Sequence, residues 1–491
     1  MRTSRRAFTA GGGSALALAA ASPALGQPQR TRPNIIVIVV DDMRFDEFSA
    51  GGHAFLRTPF IDALATSGAT FNNAYHTTPL CSPNRACILT GQYASRHGVT
   101  DNTSRSRASH RLHTFAQELQ RAGYETAHVG KWHMGNDPTP RPGYDYWVSF
   151  EGQGRMFDPV LFEDGQLRTV PGYMTDLLND RAAAFVSRRR TKPFMLFLGH
   201  KAIHPDVVQR DDGSVDVSGG MPFLPAPRHA GRYAGEVFQR RPNFGFTDAM
   251  RANKPVVAAM LDERAAGAAT FGAEAETVVS DETIQARAEM MLSIDEGVGR
   301  LVATLEEAAV RDNTLILFMS DNGYFFGEHG LTHERRLPYE EAIKSPLIIA
   351  HPGAVAPGAS INQFALSIDI APTLVELASA EIPSRMQGRS LLPLLNGRRT
   401  NWRDDFLVEY ASNDAPFPWL VNADYRAVRM GRHKYVRWLR HDSGEELYDL
   451  TADPYEQRNL ALASGHERTL RRARGAMRRL VADSLGLADG R

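Results

Sequence analysis

The chain has 491 residues, equal numbers of basic and acidic side chains, and a hydrophobic fraction of 43%. This length predicts one large domain and a smaller partner, because domains commonly hold about 150 residues. The balanced charge argues against a basic nucleic-acid groove, and the hydrophobic content argues against a disordered tail. We therefore expect an ordinary globular protein without a nucleic-acid partner.

The amino terminus has the composition of an export signal. Arg5 and Arg6 precede a small and apolar run over residues 11–21, and small residues follow it. The paired arginines resemble a twin-arginine signal, which delivers folded proteins to the export machinery. The run is far shorter than the roughly 20 residues of a spanning helix. We predict a periplasmic or secreted protein with no stable membrane insertion after removal of residues 1–30. A disordered basic tail is the alternative.

Four short apolar runs define the predicted architecture. Their hydrophobicity is nearly continuous, as in parallel strands buried on both faces, and segments such as residues 114–122 and 280–309 have helical spacing. This alternation predicts an α/β fold with a large doubly wound, mostly parallel sheet flanked by helices. The four runs are residues 34–40, 124–129, 194–199 and 314–320.

The rest of the chain divides less clearly. Residues 205–279 show no regular pattern, and we interpret them as an insertion over the active-site face. The pattern breaks after Gly397, where we place the start of a smaller α+β subdomain with an antiparallel sheet and an Arg-rich helix over residues 467–487. We therefore predict an export signal over residues 1–30, a catalytic domain over residues 31–397 and a C-terminal subdomain over residues 398–491.

Polar residues follow each predicted strand at its carboxyl end, where an open α/β sheet forms one crevice. Asp41 and Asp42 follow the first strand, and Asp321 and Asn322 follow the last. Their oxygen atoms suit Ca²⁺ or Mg²⁺ better than zinc. A single Asp pair would more often be a turn or a helix cap, but two such sets favour a metal site.

Lys131 and His133 follow the second strand and His204 follows the third. Lys131 and His133 are two residues apart, so an extended backbone would point both side chains the same way. A cation beside an imidazole fits an anionic substrate that needs proton transfer. Surface placement of both is the alternative.

The chain has two cysteines, Cys81 and Cys87, within the segment LCSPNRACILTG. If the following residues are helical, six residues separate the cysteines by about 9 Å along the axis, beyond the roughly 7 Å that a disulfide tolerates. Pro83 marks a helix start and Arg85 lies one turn in, so Cys81 stands beside backbone N–H groups that favour anions. These residues alone allow either a cysteine nucleophile or an anion site.

The segment CSPNR, followed by Thr90 and Gly91, resembles the CxPxR signature of the formylglycine-dependent sulfatases, a family of the alkaline phosphatase-like superfamily. The similarity continues through PNIIVIVVDD, GKWHMG, HKAIHP, SDNGYFFGEHG, YEEAIKSPLI and YDLTADPYEQRNL. The resemblance implies a sulfuric ester hydrolase. It also implies that a separate maturation enzyme oxidises Cys81 to formylglycine.

The resemblance further implies the roles of the polar residues. One hydroxyl of the formylglycine hydrate attacks sulfur and expels the alcohol, and the second loses a proton so that sulfate leaves. Arg85 and Lys131 bind the hydrate and the developing charge, His133 is the base of the second step, and His204 protonates the leaving alcohol. The cation, usually calcium, is held by Asp41, Asp42, Asp321, Asn322 and residue 81.

One position departs from the family pattern. Relatives commonly have a sulfate-binding lysine four residues before the tyrosine of YEE, and this chain has Arg335 before Tyr339. Arginine can bind sulfate oxygens through two N–H groups but is a poor proton donor. We therefore assign Arg335 a binding role only. Asn84 lies at a variable position of the signature, and we expect it to matter little.

The segments GYDYWVSFEGQG, DPVLFEDGQ and HKAIHPD resemble the branch that acts on 6-sulfated N-acetylglucosamine in mucins and glycosaminoglycans. The main enzymatic alternative is a phosphonate monoester or phosphodiester hydrolase, since relatives on this fold use the same nucleophile and metal. A non-catalytic protein that binds sulfated glycans is a further alternative. It would be expected to lack the nucleophile or the metal ligands, and neither is missing here.

Overall fold

The computed structural model describes residues 32–103, 106–216, 220–267, 279–412, 417–442 and 444–487. The predicted export signal lies outside the described residues. Arg32–Arg491 forms one compact unit. Within the described part of the chain, none of the helices combines the length and the apolar character needed to cross a bilayer.

The strands of the described residues form one large sheet, one four-stranded sheet and three small ones. In chain order they are β1 Asn34–Val40, β2 Ala69–Phe71, β3 Ala74–Tyr75, β4 Glu125–Gly130, β5 Tyr146–Val148, β6 Val160–Glu163, β7 Gln166–Thr169, β8 Phe194–Gly199, β9 Val208–Gln209, β10 Val215–Asp216, β11 Thr314–Ser320, β12 Lys344–Ser345, β13 Leu347–Ala350, β14 Ala359–Ile361, β15 Ala365–Leu366, β16 Asp405–Tyr410, β17 Tyr425–Met430, β18 His433–Trp438 and β19 Glu445–Asp449.

The helices lie between these strands and after the last one. In chain order they are α1 Pro59–Ser67, α2 Cys81–Thr90, α3 Ala94–His97, α4 Ser106–His110, α5 Phe115–Arg121, α6 Met174–Val186, α7 Asp248–Asn253, α8 Pro255–Ala266, α9 Asp281–Glu307, α10 Glu340–Ile343, α11 Ile370–Leu377, α12 Leu392–Leu395 and α13 Glu467–Leu485. Short 3-10 turns occur at Ser49–Gly51, Arg311–Asn313, Ser367–Asp369, Pro418–Leu420 and Leu460–Leu462.

The large sheet has the strand order β14-β2-β13-β11-β1-β8-β4-β5. Strands β11, β1, β8, β4 and β5 are parallel to one another, and β13 is antiparallel to both of its neighbours. This confirms the predicted α/β fold with a mostly parallel sheet. All four predicted core strands form, with β4 one residue later at each end than expected.

Both faces of β1 are covered, as its continuous hydrophobicity predicts. Ile36 and Ile38 face a core that includes Ile294 and Val298 of α9, whereas Val37 faces a second core shared with α5 and α11. Helix α9 begins where the sequence predicts it, because the Ser280 side chain accepts a hydrogen bond from the Thr283 N–H.

Residues 205–279 contain more regular structure than the sequence suggested. Strands β9 and β10 form an antiparallel pair, and helices α7 and α8 follow. The buried residues of α8 run almost consecutively from Val256 to Leu261 and so carry no clear helical period. This is why the sequence pattern did not reveal the helix.

The C-terminal region forms the expected antiparallel sheet, in which β16, β17, β18 and β19 pair in chain order. Helix α13 packs against it through Ala473 and Met477 and ends at Leu485, two residues earlier than predicted, with Gly486 as a left-handed cap. The same core includes Tyr75 and Cys87 from the larger part of the chain.

Candidate active site

The strand order places four polar strand ends side by side. Strand β1 lies between β11 and β8, and β4 follows β8, so the segments that begin at Asp321, Asp41, His200 and Lys131 are adjacent. Backbone bonds continue past the strand ends, since Asp321 N–H donates to the Val40 carbonyl and Lys131 N–H donates to the Gly199 carbonyl. The predicted crevice therefore exists.

Asp41, Asp42, Asp321 and Asn322 form a buried cluster in this crevice. Both carboxylate oxygens of Asp321 are engaged, Oδ1 by the Asp42 N–H at 3.1 Å and Oδ2 by the Arg85 Nε at 2.8 Å. Asp41 Oδ1, Asp42 Oδ2 and Asn322 Oδ1 accept no hydrogen bond from the described residues. Three of the four predicted ligands thus keep one buried oxygen for another partner.

These oxygens fit a hard divalent cation. Ligand atoms of Asp41, Asp42 and Cys81 all lie within 4.8 Å of one another. Buried oxygen atoms without a partner are costly unless something binds them, and Ca²⁺ and Mg²⁺ bind such oxygens. Asp321 could join them only by sharing oxygens that already accept hydrogen bonds.

The ionisation of the carboxyls is consistent with this interpretation. Burial raises the pKa of Asp321 to about 7, and the charge of Asp41 adds to the shift. Burial also raises the pKa of Asp42. For Asp41, burial is outweighed by neighbouring positive charge, that of Lys131 first and Arg85 with it, which holds its pKa well below the usual range. A divalent cation would favour the ionised form of all three carboxyls.

Cys81 is the first residue of helix α2 and is fully buried. We expected the cysteine just before the helix, and the structure places the start at Cys81 itself, after Leu80. Arg85 lies one turn further on, where its Nε donates to Asp321 and its Nη1 donates to the Lys131 carbonyl at 2.9 Å. The guanidinium thus links the helix to two strand ends.

The thiol of Cys81 is unsuited to direct attack. Burial, with the negative charge of Asp41 next, raises the pKa of Cys81 to about 12, whereas nucleophilic cysteines have lowered values. Cys87 lies on the same helix, in the core shared with the C-terminal sheet. Both cysteines are free, as the spacing predicted.

Lys131 and His133 both reach the site, although not through an extended backbone. His133 has a left-handed φ of 61°, so the two-residue alternation that we assumed does not apply. The Lys131 ammonium pairs with Asp41. Burial and the nearby Lys131 charge lower the pKa of His133 well below its usual value, so its imidazole is neutral at neutral pH.

His204 and Arg335 contact each other beside Asp42. Arg335 Nη2 donates to His204 Nε2 at 3.0 Å, and Arg335 Nε lies 2.7 Å from Asp42 Oδ1. His204 Nδ1 donates to the Pro205 carbonyl at 2.9 Å. Burial, with the Lys131 charge next, lowers the pKa of His204, in keeping with an Nε2 that accepts a hydrogen bond.

Three side chains at the site were not anticipated. Gln153 contacts Lys131, Gln209 contacts His133, and Asn84 donates to the Asp321 carbonyl at 2.6 Å. Asn84 therefore supports a predicted ligand, whereas we expected it to matter little. Gln153 lies in GYDYWVSFEGQG, which was matched only as a whole segment, and Gln209 lies in the stretch without periodicity, so neither glutamine was identified as a site residue.

Cationic side chains from three parts of the chain, Arg85, Lys131 and Arg335, surround the buried carboxylates. A site of this kind can bind an anionic group, and the two imidazoles beside it can move protons. Fold and site together define a hydrolase of the α/β class, with a large mostly parallel sheet, that acts on an anionic ester.

Comparison with known families gives this class a name. The sulfatase family model matches residues 33–380. A model for the C-terminal part of N-sulphoglucosamine sulphohydrolase matches residues 327–483. The chain therefore belongs to the sulfatase family and is a sulfuric ester hydrolase, as its CxPxR segment predicted.

Individual proteins show the same similarity. The chain is 31% identical to an N-acetylglucosamine-6-O-sulfatase of Bacteroides thetaiotaomicron, over 90% of this chain and 85% of that protein. It is 28% identical to a protein solved with its substrate D-glucosamine-2-N,6-O-disulfate, with a TM-score of 0.77 and coverage of 94% and 99%. A phosphonate monoester hydrolase of Agrobacterium radiobacter, 23% identical with a TM-score of 0.71 and coverage of 92% and 96%, shares the fold.

Proposed function

We propose that this sulfatase removes 6-O-sulfate from N-acetylglucosamine in sulfated glycans, with formylglycine at position 81 and a divalent cation. The observation that carries the mechanism is the grouping of ligand atoms of Asp41, Asp42 and residue 81 within 4.8 Å, beside buried oxygens that accept no hydrogen bond from the described residues. The substrate is supported by the N-acetylglucosamine-6-O-sulfatase relative and by the glucosamine disulfate bound to a neighbouring structure.

The nucleophile in this proposal is the hydrate of formylglycine at position 81, formed after a maturation enzyme has oxidised the cysteine. The raised pKa of the unmodified Cys81 thiol supports this choice over a thiolate. One hydroxyl of the hydrate bonds to sulfur as the bond from sulfur to the sugar oxygen breaks. Arg85 and Lys131 are placed to stabilise the negative charge that develops on the sulfate oxygens.

Two imidazoles supply the proton transfers. In the free chain His204 is neutral and accepts a hydrogen bond from Arg335. A bound sulfate ester adds negative charge beside it, which favours the protonated form that can donate to the leaving sugar oxygen. His133 is neutral and is assigned as the base that takes the proton of the second hydroxyl when sulfate leaves.

The cation would be held by Asp41, Asp42, Asn322 and residue 81, and Asp321 would join them by sharing an oxygen that already accepts a hydrogen bond. When bound, it would supply Lewis-acid stabilisation of charge on a sulfate oxygen. Arg335 pairs with Asp42 in the same region and is assigned to binding the sulfate group.

Assays of the matured enzyme on a panel of sulfated monosaccharides test the proposed substrate. Sulfated monosaccharides that differ only in the sulfated position should show turnover of N-acetylglucosamine 6-sulfate and not of the 3-sulfate. The catalytically dead Cys81→Ala chain is the matched control for non-enzymatic loss. Preference for another sugar would refute the substrate and leave the sulfatase class intact.

The same fold occurs in a phosphonate monoester hydrolase, so this activity is the second candidate. Aryl sulfate and aryl phosphonate esters with the same phenol should be assayed side by side. We expect kcat/KM to favour the sulfate. A preference for the phosphonate would overturn the proposal.

We also propose that residues 1–30 direct the folded chain to the export machinery and into the periplasm or medium. Cell fractionation tests this, with a variant in which Arg5 and Arg6 are replaced by lysine. Export of the variant at the natural level would refute a twin-arginine route.

A further inference from the structure

A closed circuit of hydrogen bonds joins the nucleophile segment to His133. Ser82 N–H donates to Asn102 Oδ1 at 3.1 Å, and the Ser82 hydroxyl donates to the His133 carbonyl. On the far side, His133 Nε2 lies 2.5 Å from Gln209 Oε1, and Gln209 Nε2 donates to the Asn102 carbonyl at 2.7 Å. Both the backbone and the ring of His133 are therefore tied to the residue next to Cys81.

The direction of each bond follows from the chemistry of the partners. The Asn102 carbonyl can only accept, so the amide nitrogen of Gln209 must face it and Oε1 must face His133. A carbonyl-type oxygen cannot donate, so His133 Nε2 must carry the hydrogen. The neutral ring then has its lone pair on Nδ1, which makes no hydrogen bond with the described residues.

A second glutamine connects this circuit to Lys131. The Lys131 ammonium can only donate, and it donates to Gln153 Oε1 at 2.6 Å, which directs the Gln153 amide nitrogen towards Gln209 Oε1 at 3.1 Å. Gln209 Oε1 thus accepts from His133 and from Gln153. Both glutamine orientations are set by groups with a single hydrogen-bonding role, and both side chains are buried.

We infer that Gln153 and Gln209 are positioning residues that hold His133 in the tautomer with its basic lone pair on Nδ1. This inference rests on the proposed role of His133 as base. In that step Nδ1 takes the proton of the free hydroxyl on residue 81, the carbon–oxygen double bond forms, and the bond from carbon to the sulfate oxygen breaks. Sulfate leaves with the electron pair of that bond.

The kinetic test separates this step from the one before it. Formation of the sulfated residue 81 determines kcat/KM for an aryl sulfate, and release of sulfate contributes to kcat. In Gln209→Leu, which keeps the size but removes the acceptor, we expect kcat to fall about 10- to 100-fold with kcat/KM changed less than about twofold. Rapid mixing with para-nitrophenyl sulfate should show a phenol burst equal to the formylglycine-containing enzyme.

Two further variants distinguish positioning from packing. Gln209→Glu keeps an oxygen that accepts from His133 Nε2 but loses the N–H that donates to the Asn102 carbonyl, so it should restore part of kcat. Gln387→Leu is the matched control, because Gln387 is a half-buried glutamine that bonds to backbone groups of Tyr93 and Ser484 away from the site. It should leave kcat unchanged and show no burst.

Several results would overturn the inference. The inference fails if Gln209→Leu keeps the natural kcat, or if its kcat and kcat/KM fall equally. It also fails if Gln209→Glu loses as much kcat as Gln209→Leu. Failure of the proposed function looks different. In that case the unsubstituted chain, with formylglycine verified by mass spectrometry, would itself release no phenol.

Discussion

Asn322 Nδ2 donates to Asp42 Oδ1 at 2.7 Å, although the two residues are 280 positions apart in the chain. This bond fixes the orientation of the Asn322 amide, whose Oδ1, like Asp42 Oδ2, has no hydrogen-bond partner among the described residues. A side chain that donates to one ligand and keeps its oxygen for another atom is well suited to a cation site.

Removal of divalent cations should therefore lower both activity and stability. We expect chelation to abolish turnover and lower the melting temperature, because an ion that binds only the folded chain at 100 times its dissociation constant stabilises it by about 2.7 kcal/mol. Calorimetry and elemental analysis of the same sample provide the measurement. Full activity in protein shown to be metal-free would contradict the cation site. Adding back Ca²⁺ and Mg²⁺ separately identifies the ion.

Cys81→Ala should lower kcat at least about 10³-fold, since it removes the proposed nucleophile. Its unfolding free energy should stay within about 1 kcal/mol of the natural value, because only the polar end of one short side chain is removed. Cys87→Ala is the matched control on the same helix, and it should keep natural turnover. Activity in Cys81→Ala would exclude the formylglycine mechanism.

Arg335→Ala should reduce kcat/KM about 100-fold, the equivalent of about 3 kcal/mol, because a buried cation beside Asp42 and the sulfate position is lost. Arg335→Lys should recover part of this loss, since it keeps the charge but cannot contact Asp42 and His204 together. Steady-state kinetics on an aryl sulfate measure both. Arg398→Ala, an exposed charge change, serves as the control. Natural kcat/KM in Arg335→Ala would remove Arg335 from the site.

His128 should contribute to acid sensitivity of the fold. Burial lowers the pKa of His128 from 6.5 to about 3, so the unfolded chain binds a proton that the folded chain does not. The stability that the neutral, buried His128 contributes to the fold is therefore fully present above pH 6.5 and is lost as the pH falls towards 3. At pH 5 the free energy of unfolding should be lower by about 2 kcal/mol on this account. His128→Phe keeps the ring beside Trp147, whose centroid is 4.4 Å away, but does not titrate.

Urea unfolding at pH 7 and pH 5 measures this effect. Between pH 7 and pH 5 the free energy of unfolding of the natural chain should fall by about 2 kcal/mol more than that of His128→Phe. Above pH 7.5 the unfolding free energies of the two chains should change in parallel with pH. Equal losses in both chains would show that His128 does not drive the acid sensitivity. Burial lowers the pKa values of His76 and His200 in the same way, so both chains should keep part of the pH dependence of the unfolding free energy.

Much of the fold could be predicted because local signals agreed with tertiary structure. The continuous apolar run of β1 required cover on both faces, and Ser280 marked the start of α9. The polar residues after β1, β4, β8 and β11 were predicted to converge because carboxyl ends of parallel strands share one edge. Helix α8 was missed, since its buried residues show no period.

The family, the α/β class and the charged residues at the strand ends could be read from the sequence, because they depend on local pattern and on a distinctive motif. The folded chain was needed to show which oxygens of those residues accept no hydrogen bond from the described residues. It was also needed to show that His204 accepts from Arg335, and that Gln153 and Gln209 contact Lys131 and His133. Hydrogen-bond direction depends on the approach of side chains from loops distant in the chain. Such contacts leave no periodicity in the sequence.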